Sequence, residues 1–391
     1  MKLRNIITGT LSVALFASCS NDSFDPAPEP DYPLTPNETE LMDGSFDFNG
    51  RLVSEFGRNN AGENWVISPF MTYNSVSMMA NLLSEKDLVG YGNMFGLKED
   101  SNLNLSTLNS YIYKINNRTE NSFGDYYAWM GSGISLDKEL KESLLENFLV
   151  EPIEVEGNVT ESANDWWKSN FKVSDFFGSN NAQVVLANVL SLEMPWAFDQ
   201  SSNDVVDVAF KNNDGSTVTV KGLEFGSPLS YCETTDWGKI VVLPLQNGCI
   251  QFYIPNGDFN EFVKSFAPVR PQYPLTQENA SKISLLATVP FFEVEKSAFI
   301  STTLQTMGWN SYTQQSIGWK TPAATILKGV ASVKISEEGA HSKTVKPSES
   351  REKLSCQGAE TITINRPFAF SIHYYPYDLN VATGVVYNVK K

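Results

Sequence analysis

The chain is short of the side chains that most polar catalysis needs. It has two histidines, His341 and His373, and four cysteines, Cys19, Cys232, Cys249 and Cys356. So few imidazoles leave little material for a Ser-His-Asp site, and no nucleophile elbow, Gly-rich phosphate loop or His/Cys metal spacing is present. The reading is a protein that is not an enzyme and carries no cofactor or metal. There is no CxxC pair, and with Cys19 set aside an odd number of cysteines remains, which argues against a disulfide framework. Positive charge is also scarce. Against 45 Asp and Glu stand 29 Lys and Arg, a net charge of −16, which disfavours nucleic acid as a partner. Beyond the N-terminal leader no apolar run is long enough to cross a bilayer.

That leader is a secretory signal in form. Lys2 and Arg4 precede an apolar stretch from Ile6 to Ala17, too short for a membrane span. Its end, Phe16-Ala17-Ser18-Cys19, resembles a lipobox, in which cleavage after Ser18 frees Cys19 for lipid attachment. Asn21 to Asn37 is acidic and carries Pro26, Pro28, Pro30, Pro33 and Pro36, a composition that stays extended. The expected organisation is therefore a signal peptide over 1–18, a lipidated, palmitate-bearing Cys19 with a tether over 19–40, and one large domain over 41–391. Such a lipoprotein is expected on the outer membrane of a bacterium, surface-exposed, or otherwise in the periplasm.

Within the domain, Phe48, Leu52, Val53 and Phe56 repeat at helical spacing and Gly57 is the expected stop. Trp65–Ile67 is a short apolar run ended by Ser68-Pro69, and Val76, Met79, Ala80 and Leu83 form a second helical face. Asp137 is the expected N-cap of a helix that buries Leu140, Leu144 and Phe148. The second half is richer in strands. Val184–Leu192 reads as a strand covered on both faces, and Asp214-Gly215 as the turn of a hairpin between Phe210 and Val218. Ile240–Leu243, Ile250–Ile254, Ile283–Pro290, Phe368–Tyr374 and Gly384–Val389 are further strands. Helices first and long strands later, without sustained β-α-β alternation, predict an α+β fold.

Several segments, in order, resemble the signatures of the serpin family. They are Val66-Ile67-Ser68-Pro69-Phe70; Val185-Leu186-Ala187-Asn188 with Met194-Pro195-Trp196-Ala197-Phe198-Asp199; Val289-Pro290-Phe291 with Leu304, Met307 and Gly308; Ile335-Ser336-Glu337-Glu338-Gly339-Ala340; and Asn365-Arg366-Pro367-Phe368-Ala369-Phe370 with Gly384–Asn388. The resemblance spans nearly all of 41–391. It implies helices packed on a large central mixed sheet, further sheets, and an exposed reactive centre loop on a metastable, monomeric molecule. It implies an irreversible inhibitor of serine or cysteine endopeptidases: the target protease cleaves the loop, is held as an acyl-enzyme, and is disabled when the freed loop inserts into the main sheet. About a dozen inserted residues, at roughly 0.5–1.5 kcal/mol per hydrogen bond, are worth on the order of 10 kcal/mol.

The resemblance also assigns the hinge to Glu337, Glu338, Gly339, Ala340, Ser342 and Thr344. If Ala340 faces the core, alternation turns Ser342, Thr344 and Lys346 the same way. Lys346 and Pro347 are poor occupants of a central strand, one for its charge and the other for its missing N–H, with a combined cost of roughly 2–6 kcal/mol. Counting from Glu337 places the bait at Lys353, cleaved before Leu354; counting back from Pro367 gives Cys356-Gln357, and Arg351-Glu352 is a third register. Lys353 or Arg351 suits a trypsin-like target. At the gate of the sheet Ser68 and Asn188 match the family, while Met71 and Gly329 stand where a Ser and a His are usual. The expectation is that Met71 fills the space of the missing imidazole, with Trp196 buried at the top of the sheet. Two rivals remain: a non-inhibitory binding or structural lipoprotein on the same scaffold, and a glycan-binding surface built from Tyr126, Tyr127, Trp129, Trp166 and Trp167.

Overall fold

A computed structural model describes residues 30–83, 88–97, 104–117, 123–134, 136–179, 182–197, 204–227, 230–271, 285–308, 325–342 and 360–390. The leader with Cys19, and the loop positions Thr344, Lys346, Pro347, Arg351, Lys353, Leu354 and Cys356, lie outside the described residues.

Helix α1, Pro36–Asn59, opens with a capping box in which Thr35 and Glu38 satisfy each other's backbone N–H groups. It starts inside the stretch expected to be tether. Pro30–Leu34 is held to the body as well: the Tyr32 amide donates to the Tyr377 hydroxyl at 3.0 Å, and Lys114 donates to the Pro33 carbonyl at 3.0 Å. The folded part thus begins before the expected boundary at 41. Gly57 does not end the helix. A Cβ there would lie 2.7 Å from the Val263 carbonyl and 3.3 Å from the Trp65 ring, so its role is close approach. Helix α2, Pro69–Ala80, is capped by Ser68 and buried along its whole length, so it forms the spine of the molecule. The other α-helices among the described residues are α3 (Leu105–Asn116), α4 (Lys138–Phe148, capped by Asp137 as expected), α5 (Val159–Phe171), α6 (Phe259–Ser265) and α7 (Ile300–Thr306).

Among the described residues the strands form three sheets, and α2 packs against the first and the third. The first runs β1 (Trp65–Ile67), β17 (Leu379–Val386), β16 (Phe368–Tyr374), β10 (Gly248–Pro255), β9 (Gly238–Leu245) and β8 (Tyr231–Thr234). The last strand opens at Leu379, five residues before the expected Gly384. The second runs β15 (Glu360–Thr363), β11 (Leu285–Pro290), β7 (Thr217–Ser227) and β6 (Val205–Lys211), with the β6–β7 hairpin turning at Asp214-Gly215 as its sequence predicts. The third is the main sheet: β3 (Ile153–Val155), β2 (Gly124–Gly131), β4 (Val184–Leu190), β13 (Thr325–Ser336), β14 (Gly339–His341) and β5 (Glu193–Pro195), with β12 (Phe292–Phe299) on the other edge of β13. The molecule is α+β, with helices packed against large mixed sheets. A second core, under α5, joins Trp129, Trp167, Phe176, Phe177, Val185, Ala187 and Ile326 on the main sheet's outer face. Cys232 and Cys249 are free and buried.

Candidate functional site: a forked main sheet with its loop hinge inserted

The parallel pair β4–β13 is continuous from Val184↔Thr325 to Val189↔Val330. Beyond that rung the strands part, and β14 fills the gap. Gly339, Ala340 and His341 pair with Ser336, Ile335 and Lys334 on one side, and with Pro195, Met194 and Glu193 on the other. The start of the loop is thus a central strand already. The resemblance implies an exposed loop, but its first residues, Gly339–His341, lie inside the sheet. Small residues make the insertion possible. Ala340 is 1% exposed and joins the main core. Gly339 has φ +130°, and a Cβ there would lie 2.5 Å from the Met194 carbonyl, so no other residue fits without strain.

The turn that reverses the chain is bolted from three directions. The Trp196 indole N–H donates to the Ser336 carbonyl at 3.0 Å, and the Trp196 backbone N–H to the Glu338 carbonyl at 3.2 Å. Trp196 is 2% exposed, as expected for the top of the sheet. The Ser336 hydroxyl donates to the Glu338 carboxylate, leaving His341 Nε2, 2.9 Å away, as the donor to Ser336 Oγ. Glu337 points to solvent. At the fork itself the Ser342 amide donates to the Leu192 carbonyl at 2.8 Å. The Ser342 hydroxyl accepts from the Leu192 amide at 2.9 Å and donates to the Ser332 carbonyl at 2.6 Å.

The gate below the fork differs from the expectation in one respect. Ser68 and Asn188 are buried there, but Met71 does not fill the space at Gly329. Its thioether packs on the far side, where a Cβ on Gly124 would come within 2.7 Å of the Met71 methyl. Ile300 occupies the position beside Gly329, within 3.3 Å of a built Cβ. A cavity of ≈ 10 Å³ remains between Ser68, Thr72, Asn188, Ile300 and Gly329. The gate stays polar because Ser75, one turn after Met71 on the same face of α2, accepts from Asn188 Nδ2 at 3.0 Å. Sequence comparison by position misses Ser75; the i, i+4 spacing is the signal that finds it.

Two other groupings resolve as packing. Trp129 and Trp167 are buried, and Trp167 stacks on Phe176 at 4.1 Å and 9°. Tyr126, Tyr127 and Trp166 are half-buried, and Trp166 packs on Tyr127 and Trp129, so the rings join α5 to the sheet. His373 Nε2 lies 2.8 Å from Ser371 Oγ, but both residues are 0% exposed. In the hinge, Glu338 and His341 both bond the Ser336 hydroxyl.

A forked central sheet that holds the start of its own loop defines a class of molecule able to take loop residues as a strand. A family model described as Serpin (serine protease inhibitor) matches residues 43–389, and the chain belongs to that family. No curated protein matches. Among solved structures the chain is similar to Serpin48, a highly specific serpin of the insect Tenebrio molitor, with TM-score 0.72 and 13% identity over 91% of this chain and 100% of that one. It is similar to tengpin, a thermophilic serpin in the native state, with TM-score 0.71 and 16% identity over 93% of this chain and 97% of that one. Human glycosylated kallistatin gives TM-score 0.68 and 14% identity over 91% and 100%. At these identities the likeness is one of fold.

Proposed function

We propose that this serpin is an irreversible inhibitor of serine endopeptidases, and by the same acyl chemistry of cysteine endopeptidases, tethered to a bacterial outer membrane through a lipid on Cys19. The protease nucleophile attacks the carbonyl of the bait residue, the peptide nitrogen leaves with a proton, and the protease remains as an ester or thioester on the loop. Insertion of the freed loop then carries it away before water completes the cycle. The bait is Lys353, with cleavage before Leu354, and the target class is trypsin-like; Arg351-Glu352 and Cys356-Gln357 are the other two registers. The observation that carries this reading is the strand formed by Gly339–His341 between β13 and β5. Three residues at the start of the loop already lie in the main sheet as a strand, which supports entry of more at the fork.

The test is incubation with trypsin followed by a denaturing gel. A covalent adduct of the summed masses, lost in Lys353→Ala, is the expected result. Nicking without adduct would instead support the non-inhibitory scaffold, the reading favoured by Lys346 and Pro347, which fit a central strand poorly. The anchor is tested separately, by palmitate labelling in cells with and without Cys19→Ala.

A further inference from the structure

The Ser342 hydroxyl stands in for the next rung of the sheet. The pairs Gly339↔Pro195, Ala340↔Met194 and His341↔Glu193 put Ser342 opposite Leu192. In an antiparallel ladder two residues that exchange both bonds each give an N–H and take one. The Ser342 N–H does donate to the Leu192 carbonyl, at 2.8 Å. The return bond, however, runs from the Leu192 N–H to Ser342 Oγ, at 2.9 Å, instead of to the Ser342 carbonyl. On the other side, the pairs Ser336↔Gly339 and Lys334↔His341 make Ser332 the next position of β13 to face the loop strand. The Ser332 carbonyl, which the N–H of residue 343 would reach in a continued strand, takes the Ser342 hydroxyl proton at 2.6 Å. One side chain therefore satisfies a group on each flanking strand at the point where β4 and β13 part.

We infer that the Ser342 hydroxyl is a strand cap that stops loop insertion at this rung in the uncleaved molecule. Without it, the Leu192 N–H and the Ser332 carbonyl lack those partners in a half-buried fork. Advance of the loop by one residue supplies both from the backbone. Withdrawal supplies neither, and also breaks the pairs that Gly339–His341 make on both sides. Removal of the hydroxyl therefore drives the strand forward. The inference concerns where the loop strand stops, not whether a protease is captured, so failure of the trypsin assay leaves it standing.

The test compares Ser342→Thr with Ser342→Val in the full chain, since these side chains share a shape and differ in the hydroxyl alone. Two quantities are read: hydrogen exchange at the Leu192 amide, and the rate at which the uncleaved protein converts on warming to a form with a raised Tm. The Thr variant is expected to behave as the parent. The Val variant is expected to convert about ten-fold faster or more, the scale of one buried hydrogen bond. Equal conversion and equal exchange in the two variants would overturn the cap. Faster exchange at Leu192 without faster conversion would also overturn it, because the strand would then be withdrawing and the hydroxyl would be an anchor rather than a stop.

Discussion

The indole N–H of Trp196 points at the carbonyl of Ser336 across 3.0 Å, joining the end of β5 to the last residue of β13. The same residue's backbone N–H holds Glu338, so one buried tryptophan fixes both ends of the hinge turn. Trp196→Phe keeps an aromatic ring beside Phe225, 4.9 Å away in the parent, but removes the donor and part of the volume. The expected loss is about 2–3 kcal/mol in urea unfolding. Exchange should rise at the amides of Gly339 and Ala340 more than in β10, because the released turn belongs to the hinge.

Gly339→Ala tests whether the hinge strand is under steric control. With φ +130° and the Met194 carbonyl 2.5 Å from a new Cβ, the substituted residue cannot stay in place. Strain of about 2–3 kcal/mol is expected, and it is relieved if β14 leaves the sheet. The checks are urea unfolding and the protease sensitivity of the hinge, which should rise. Unchanged sensitivity would mean that the turn tolerates a side chain that the geometry excludes.

Much of this was readable in the chain. Asp137 announces α4 because a carboxylate before an amphipathic run has a mechanism: its oxygen accepts from the Leu140 amide at 2.8 Å. The hinge run Glu337-Glu338-Gly339-Ala340 marks a turn into a strand. What it cannot show is the strand's neighbours, because Ala340 pairs with Met194 and Ile335 only once the main sheet has assembled. The early start of β17 escapes for another reason. Asn380 and Thr383 interrupt the apolar pattern, yet both are buried and bond to each other at 2.9 Å, so polar residues sit inside a strand. At the gate, position-by-position matching points to Met71, whereas the hydroxyl that accepts from Asn188 is that of Ser75, one turn further along the helix.

The seam below the fork is clamped from outside by a cation. Lys328 of β13, opposite Ala187 of β4, holds its ammonium 4.0 Å from the Phe176 ring centre and 4.4 Å from that of Phe299, and donates to the Phe176 carbonyl. Burial lowers the lysine's pKa from its ordinary value. The Phe176 segment is in turn tied to α5, where Asn164 accepts from the Phe177 amide at 2.8 Å. Lys328→Met keeps the apolar stem and loses the charge, at an expected cost of about 1–2 kcal/mol in urea unfolding. Since β4 and β13 must separate for more loop to enter, the variant should also convert to the raised-Tm form faster than the parent. A slower conversion would place the clamp elsewhere than on the seam.

His373 gives the stability of this protein a pH dependence whose sign can be worked out. The imidazole is fully buried, with Nε2 against Ser371 and the ring stacked on Phe46 at 6.2 Å. Burial, and then the nearby Arg270 guanidinium, drive its pKa down to about 3 from 6.5. Above the higher value neither state is protonated and the residue contributes no slope. As the pH falls between the two, the unfolded chain takes up a proton that the native state refuses, and stability is lost, by about 2 kcal/mol at a pH near 5. Asp378 works the other way. Burial raises its pKa to about 6 despite the Arg270 partner, so the native state binds its proton first and gains stability over part of the same range. The two effects are separated by measuring urea unfolding of the parent and of His373→Leu at neutral and mildly acidic pH. Asp378 is common to both chains, so the change in their stability difference reports the imidazole. The parent is expected to lose about 2 kcal/mol more than the variant. A difference that stays constant with pH would mean that His373 takes up its proton in the folded protein as readily as in the unfolded one.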